Sequence, residues 1–221
     1  MEPVFAFERD HPDLFTPFTR LIPMGNRAEE YFVIWWLVEY GMASGIRSQD
    51  DFDRVKSSLP KENRESYAMH FYRIRAELQD RDPERWAQLL PPFDGIPEAV
   101  RSLADRFDLA IATSKDMRSV RILLHRYGIL DLFTPDRILD KDFSYSKKDH
   151  LSHFHLLLGI PFNRMHFIDD KVLHLSEAAD LGVNAILAMW GFNTEREHDE
   201  AKRLGYGLLS LEDLKRLSIP E

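Results

Sequence analysis

Apolar and polar positions follow two different rhythms along the chain. Three short runs are almost wholly apolar and break off sharply into polar residues. They are Val4-Phe5-Ala6-Phe7 before Glu8, Leu109-Ala110-Ile111-Ala112 before Thr113-Ser114, and Met165-His166-Phe167-Ile168 before Asp169-Asp170. Runs this short predict strands buried on both faces. A further strand is expected at 184–189. Between and after them the apolar spacing becomes helical: 117–127 ahead of Gly128, 148–158 ahead of Gly159 and Pro161, 173–181 ahead of Gly182, and 211–217. A glycine after the last apolar position is a common helix stop. Alternation of strand and helix from about residue 94 onward predicts a parallel sheet flanked by helices.

From 14 to 91 the rhythm differs. One apolar helix is expected at 28–40, then a charge-dense helix over 61–86 with its charges on a solvated face. No strand alternation is evident there, and Pro91-Pro92 followed by Phe93-Asp94-Gly95 is a strong break. The pattern predicts a doubly wound α/β core built from 1–13 and 92–221, with a helical domain, 14–91, inserted after the first strand.

Composition narrows the possibilities. The 221 residues are 44% hydrophobic, enough for a packed core. With no cysteine, disulfides, thiol catalysis and zinc–thiolate sites are excluded, which suits a cytoplasmic location. A net charge of -8 argues against a nucleic-acid partner. The start of the chain does not read as a signal peptide, and the longest apolar run, Phe32 to Val38, is too short to cross a bilayer. The expectation is a soluble protein with no membrane partner. Its oligomeric state is left open.

In an open parallel sheet, ligands bind beyond the carboxyl ends of the strands. The pattern sends Glu8, Asp10, Thr113, Asp169 and Asp170 to that edge, with Lys147 opening the helix between the second and third runs. Carboxylates gathered from separate strands repel unless a cation sits among them, and oxygen donors point to Mg²⁺ rather than Zn²⁺. A lysine and a threonine nearby suit an anionic group such as a phosphoryl. Thr113 could also cap the helix that follows it. His150, His153 and His155 read as packing or solvated histidines rather than ligands, and Trp35-Trp36 as packing within the helical insert.

Phe7-Glu8-Arg9-Asp10, Ile111-Ala112-Thr113-Ser114-Lys115, Ser146-Lys147-Lys148-Asp149-His150 and Phe167-Ile168-Asp169-Asp170 occur in an order and spacing that resembles the haloacid dehalogenase superfamily. The stretch SKKDHLSHFHLLLGIPFNRMHFIDD is similar to its magnesium-dependent phosphatases. FDGIPEAVRSLADRFDLAIATSKD and DLGVNAILAMWGF are similar to its phosphoglycolate-phosphatase-like members, which carry a helical cap where the insert falls. The resemblance implies a Rossmann-like core and a Mg²⁺-dependent hydrolase of a small phosphorylated molecule. It implies Glu8 at the nucleophile position, Asp10 as acid and base, Thr113, Ser114 and Lys147 on the phosphoryl oxygens, and Glu8, Asp10, Asp169 and Asp170 around the metal. Three departures stand out. Glu8 replaces the usual aspartate, and His11-Pro12 replaces the usual Gly-Thr. His174 stands where an acid or amide is common. A catalytically silent relative that binds a phosphorylated ligand or a partner is therefore the second reading. A dehalogenase- or phosphonatase-type hydrolase is the third.

Overall fold

The computed structural model describes residues 11–25 and 27–216. The expected first strand, with Glu8 and Asp10, lies outside the described residues. So does the end of the 211–217 helix. The chain divides into two compact units at Leu89–Leu90.

The first unit is helical. It contains α1 (Pro12–Leu21), α2 (Ala28–Glu39), α3 (Gln49–Ser58), α4 (Lys61–Arg81) and α5 (Pro83–Gln88). α2 is apolar around most of its circumference because it is packed on several sides. Val33, Ile34 and Leu37 join Leu21 and Phe52 in one buried cluster. Toward α4, Phe32 meets Tyr67 and Tyr31 meets Phe71, while Trp35 lies 4.6 Å from Phe18 of α1, centroid to centroid. The Trp35 and Trp36 rings thus have aromatic neighbours within this unit, Trp36 against Tyr40. α4 is long and charged, and the pairs Lys61–Glu65 and Arg73–Glu77 lie along its exposed surface at i,i+4 spacing.

The second unit is α/β. In chain order it runs α6 (Ile96–Ala104), β1 (Ile111–Ala112), α7 (Met117–Arg126), β2 (Ile138–Leu139), α8 (Lys147–Leu158), β3 (His166–Asp169), α9 (Val172–Ala179), β4 (Asn184–Ala188), α10 (Glu195–Arg203), β5 (Gly207–Leu209) and α11 (Leu211–Lys215). All pairings among the described residues are parallel: β1 with β2, and β3–β4–β5 as a second ladder. Side-chain alternation along β4 explains why its sequence is apolar throughout. Ala185 and Leu187 pack with Leu151, Leu175 and Ala201 from α8, α9 and α10. Ile186 points the other way, into a cluster with Leu103 of α6 and Leu214 of α11. Helices therefore cover both faces of this ladder.

The expected elements shift by a few residues at their ends. α8 begins at Lys147 and stops at Gly159, whose φ of 65° is one that glycine adopts without strain. α6, β2, α10 and β5 have no counterpart among the elements expected from the sequence. β2 and β5 span only two and three residues, and the polar face of α10 hides its helical period.

β1 and β3 each leave one edge unpaired among the described residues. Between them lies a cavity of about 410 Å³, bounded by 107–112 on one side and 164–168 on the other, with Leu103, Leu151 and Phe154 among its apolar walls. No helix among the described residues is long and apolar enough to cross a membrane.

Leu187 is fully buried at the centre of the β3–β4–β5 ladder. Leu187→Ala is expected to cost about 2–5 kcal/mol through lost contacts and the cavity left behind. Denaturant unfolding checks this, and a loss under about 1 kcal/mol would contradict the packing described.

Candidate active site

Three elements of the second unit bring their polar ends together. β1 runs into Thr113-Ser114, β3 into Asp169-Asp170, and Lys147 opens α8. Lys147 is the anchor. Its side chain is only 2% exposed, and its Nζ donates to the carbonyl of Ala112, 3.0 Å away, one residue before Thr113. Burial pushes the ammonium below its ordinary pKa, and the charges of Asp169, Glu177 and Asp170 pull it back up. The lysine thus feels both carboxylates that end β3.

Those two carboxylates are held differently. Burial opposes ionisation of Asp169, but the His174 hydrogen bond and charge, with help from Lys147 and the Lys171 amide, outweigh it and keep Asp169 ionised below the usual carboxylate range. His174 Nδ1 donates to Oδ1 at 3.0 Å and lies 3.1 Å from Oδ2, and Lys171 N donates to Oδ1 at 2.9 Å. Asp170 is pushed up by burial and then by the neighbouring Asp169 charge, only partly offset by Lys171 and the Phe192 amide. The Asp169 charge thus opposes ionisation of Asp170, and a cation beside the two carboxylates would relieve that opposition.

Thr113 takes a role that its sequence did not announce. It does not cap α7: that cap is Asp116, whose carboxylate accepts from Ser119 N at 2.9 Å and Ser119 Oγ at 2.8 Å. Thr113 Oγ1 instead accepts from Lys115 N at 3.1 Å, tightening the turn after β1. Asp116 sits three residues nearer the helix, where its oxygen reaches the N3 amide, the position a cap requires.

The structure therefore places Thr113, Ser114, Lys147, Asp169 and Asp170 in one unit, at the ends of β1 and β3 and the start of α8, while Glu8 and Asp10 lie outside the described residues. Among the described residues no group of three or more His, Cys, Asp or Glu could hold a metal ion. Asp169 and Asp170 fit Mg²⁺ in chemistry, being hard oxygen donors, but they form part of a donor set rather than a whole one. The α8 histidines pack, as expected from their spacing. His150 and His153 lie against Phe143, and His155 stacks on Phe162 at 4.3 Å while its Nδ1 donates to Ile160 O.

Glu177 was not legible as a functional residue. From the middle of α9 it accepts from Lys147 N at 2.6 Å, Ser146 Oγ at 3.1 Å and Lys148 N at 3.4 Å. Its carboxylate thus serves the unpaired amides at the start of α8, where negative charge is favoured. Because that start is Lys147 itself, Glu177 fixes where the lysine leaves the helix. The only signal in sequence is an acid among apolar neighbours in Leu175-Ser176-Glu177-Ala178. Glu177→Ala is expected to lower stability by about 1–2 kcal/mol, a cap-sized loss, measured by denaturant unfolding. An unchanged midpoint would mean that solvent serves those amides equally well.

The chain matches the family model described as haloacid dehalogenase-like hydrolase over residues 27–188. The matched span contains Thr113, Ser114, Lys147, Asp169 and Asp170 and leaves out Glu8 and Asp10. No curated protein and no solved structure matches. The match extends over well more than half of the chain and takes in the ends of β1 and β3 and the start of α8, so the chain belongs to the haloacid dehalogenase-like hydrolases.

Proposed function

We propose that the protein is a Mg²⁺-dependent phosphohydrolase of a small phosphomonoester. The observation that carries this reading is the buried Lys147 ammonium beside the partly buried carboxylates Asp169 and Asp170, one cation and two acids near the end of β1 that leads into Thr113. An ammonium and hydroxyls there would take phosphoryl oxygens, with Lys147, Thr113 and Ser114 as the donors. Mg²⁺ bound to the acids would neutralise their charge and polarise the phosphoryl group.

The same reading takes Val4-Phe5-Ala6-Phe7 as the first strand of a doubly wound core, with Glu8 and Asp10 following its carboxyl end. The helical domain would then be an insert after the first strand.

In this site a Glu8 oxygen attacks phosphorus, the bond to the leaving oxygen breaks, and Asp10 supplies that oxygen's proton. Asp10 then takes a proton from water as the water oxygen displaces Glu8, releasing inorganic phosphate and the free carboxylate. The extra methylene of Glu8, about 1.5 Å of reach, is the demanding feature, since a misplacement of about 1 Å can cost on the order of 100-fold in rate. That feature also supports the second reading, a silent relative that keeps the pocket to bind a phosphorylated ligand or a partner.

Hydrolysis of a phosphomonoester panel, with Mg²⁺ and with EDTA, separates the readings. Wild-type protein is expected to turn over only with Mg²⁺, and Asp10→Ala to lose at least about 100-fold. A silent wild type with activity gained in Glu8→Asp would transfer the assignment to the binding protein. Turnover of a halogenated or phosphonate substrate in EDTA would overturn the phosphatase reading.

A further inference from the structure

The segment that follows β4 reaches back onto the end of β3. At Gly191 a Cβ would stand 2.2 Å from the Cβ of Asp170 and 2.9 Å from its Oδ2, so only glycine lets the backbone come this close. The next residue, Phe192, donates its backbone N–H to Asp170 Oδ2 at 2.8 Å. Asn193 then ties the two strand ends together, with Nδ2 donating to the carbonyls of Ala188 at 2.9 Å and Asp170 at 3.3 Å. Asn193 is itself oriented, because His198 Nε2 of α10 donates to its Oδ1 at 2.7 Å. Nothing in the proposed chemistry uses these residues, yet each contact ends on Asp170 or on a partner that holds it.

The consequence is asymmetric. Oδ2 of Asp170 is committed to an amide, while Oδ1 accepts no hydrogen bond from a described residue. We propose that Gly191, Phe192 and Asn193 form a positioning clamp that fixes Asp170 as a one-oxygen ligand, with Oδ1 presented to the cation and Oδ2 held by protein. The proposal rests on the metal reading of the site. It adds residues that position the ligand without touching substrate. The side chain of Phe192 is largely exposed, and its part in the clamp is the backbone amide alone.

Loss of a partner that orients a metal ligand typically weakens metal affinity by about 10–100-fold. Gly191→Ala and Asn193→Ala are therefore each expected to weaken Mg²⁺ binding at least about 10-fold by titration calorimetry, with native circular dichroism. Tyr206→Phe controls for stability, since it removes a hydrogen bond to Ser176 Oγ without touching Asp170, and is expected to leave the affinity within about twofold. Amide hydrogen exchange adds a readout that needs no metal: the Phe192 amide should be protected in wild type and exchange at least about 10-fold faster in Asp170→Ala. Mg²⁺ binding by wild type with unchanged affinity in both Gly191→Ala and Asn193→Ala would overturn the clamp alone. Unprotected Phe192 in wild type would overturn it as well. Absence of Mg²⁺ binding by wild type would sink the metal reading and the role given to the clamp with it.

Discussion

A lysine ammonium placed in the interior is costly unless its charge is answered, and the site is organised around that requirement at Lys147. Three kinds of group answer it. The Ala112 carbonyl takes a hydrogen bond at the end of β1, Asp169 and Asp170 supply negative charge from the end of β3, and Glu177 holds the helix turn that carries the lysine. The carboxylates face the mirror problem: His174 and the same ammonium offset the burial of Asp169, while Lys171, the Phe192 amide and His174 only partly offset burial and the Asp169 charge at Asp170. Remove the lysine, and the acids lose a counter-charge while a strand-end carbonyl loses its donor. The charges are therefore an interdependent set.

That set stays in place because the scaffold beneath it is dry on both sides. β4 alternates its side chains between two helical layers, so the ladder beside it can shift register only by moving apolar groups between clusters. A fixed register keeps the ends of β3 and β4 level, which lets Asn193 bridge the carbonyls of Asp170 and Ala188 with one amide group. The turn after β4 then adds what a strand end lacks by itself, an N–H aimed at a carboxylate oxygen.

The helical unit follows a different logic. α2 has no polar face to offer because α1 and α4 lie against it, and its aromatic residues fill the space between. α4 carries its charges outward in i,i+4 pairs, which contribute little stability individually and keep the long helix solvated.

The sequence by itself determined the α/β class of fold and several of the strands and helices of the second unit, and it singled out Thr113, Lys147, Asp169 and Asp170 as candidates, because each of these leaves a local mark. Strands buried on both faces are uniformly apolar, helices stop at glycine, and acids that follow such a strand stand out. It also announced a charged helical stretch at 61–86, which the structure breaks at Asp82-Pro83 into α4 and the short α5, since proline cannot continue the first helix. It did not announce that Asp116 caps α7, that Glu177 serves the start of α8, or that Gly191 and Asn193 close on Asp170. These roles join residues that lie many positions apart or depend on one backbone distance, as at Gly191, where 2.2 Å separates an added Cβ from Asp170. Only tertiary structure decides such matters, since periodicity records which side of an element is buried but not which group from elsewhere in the chain will meet it there.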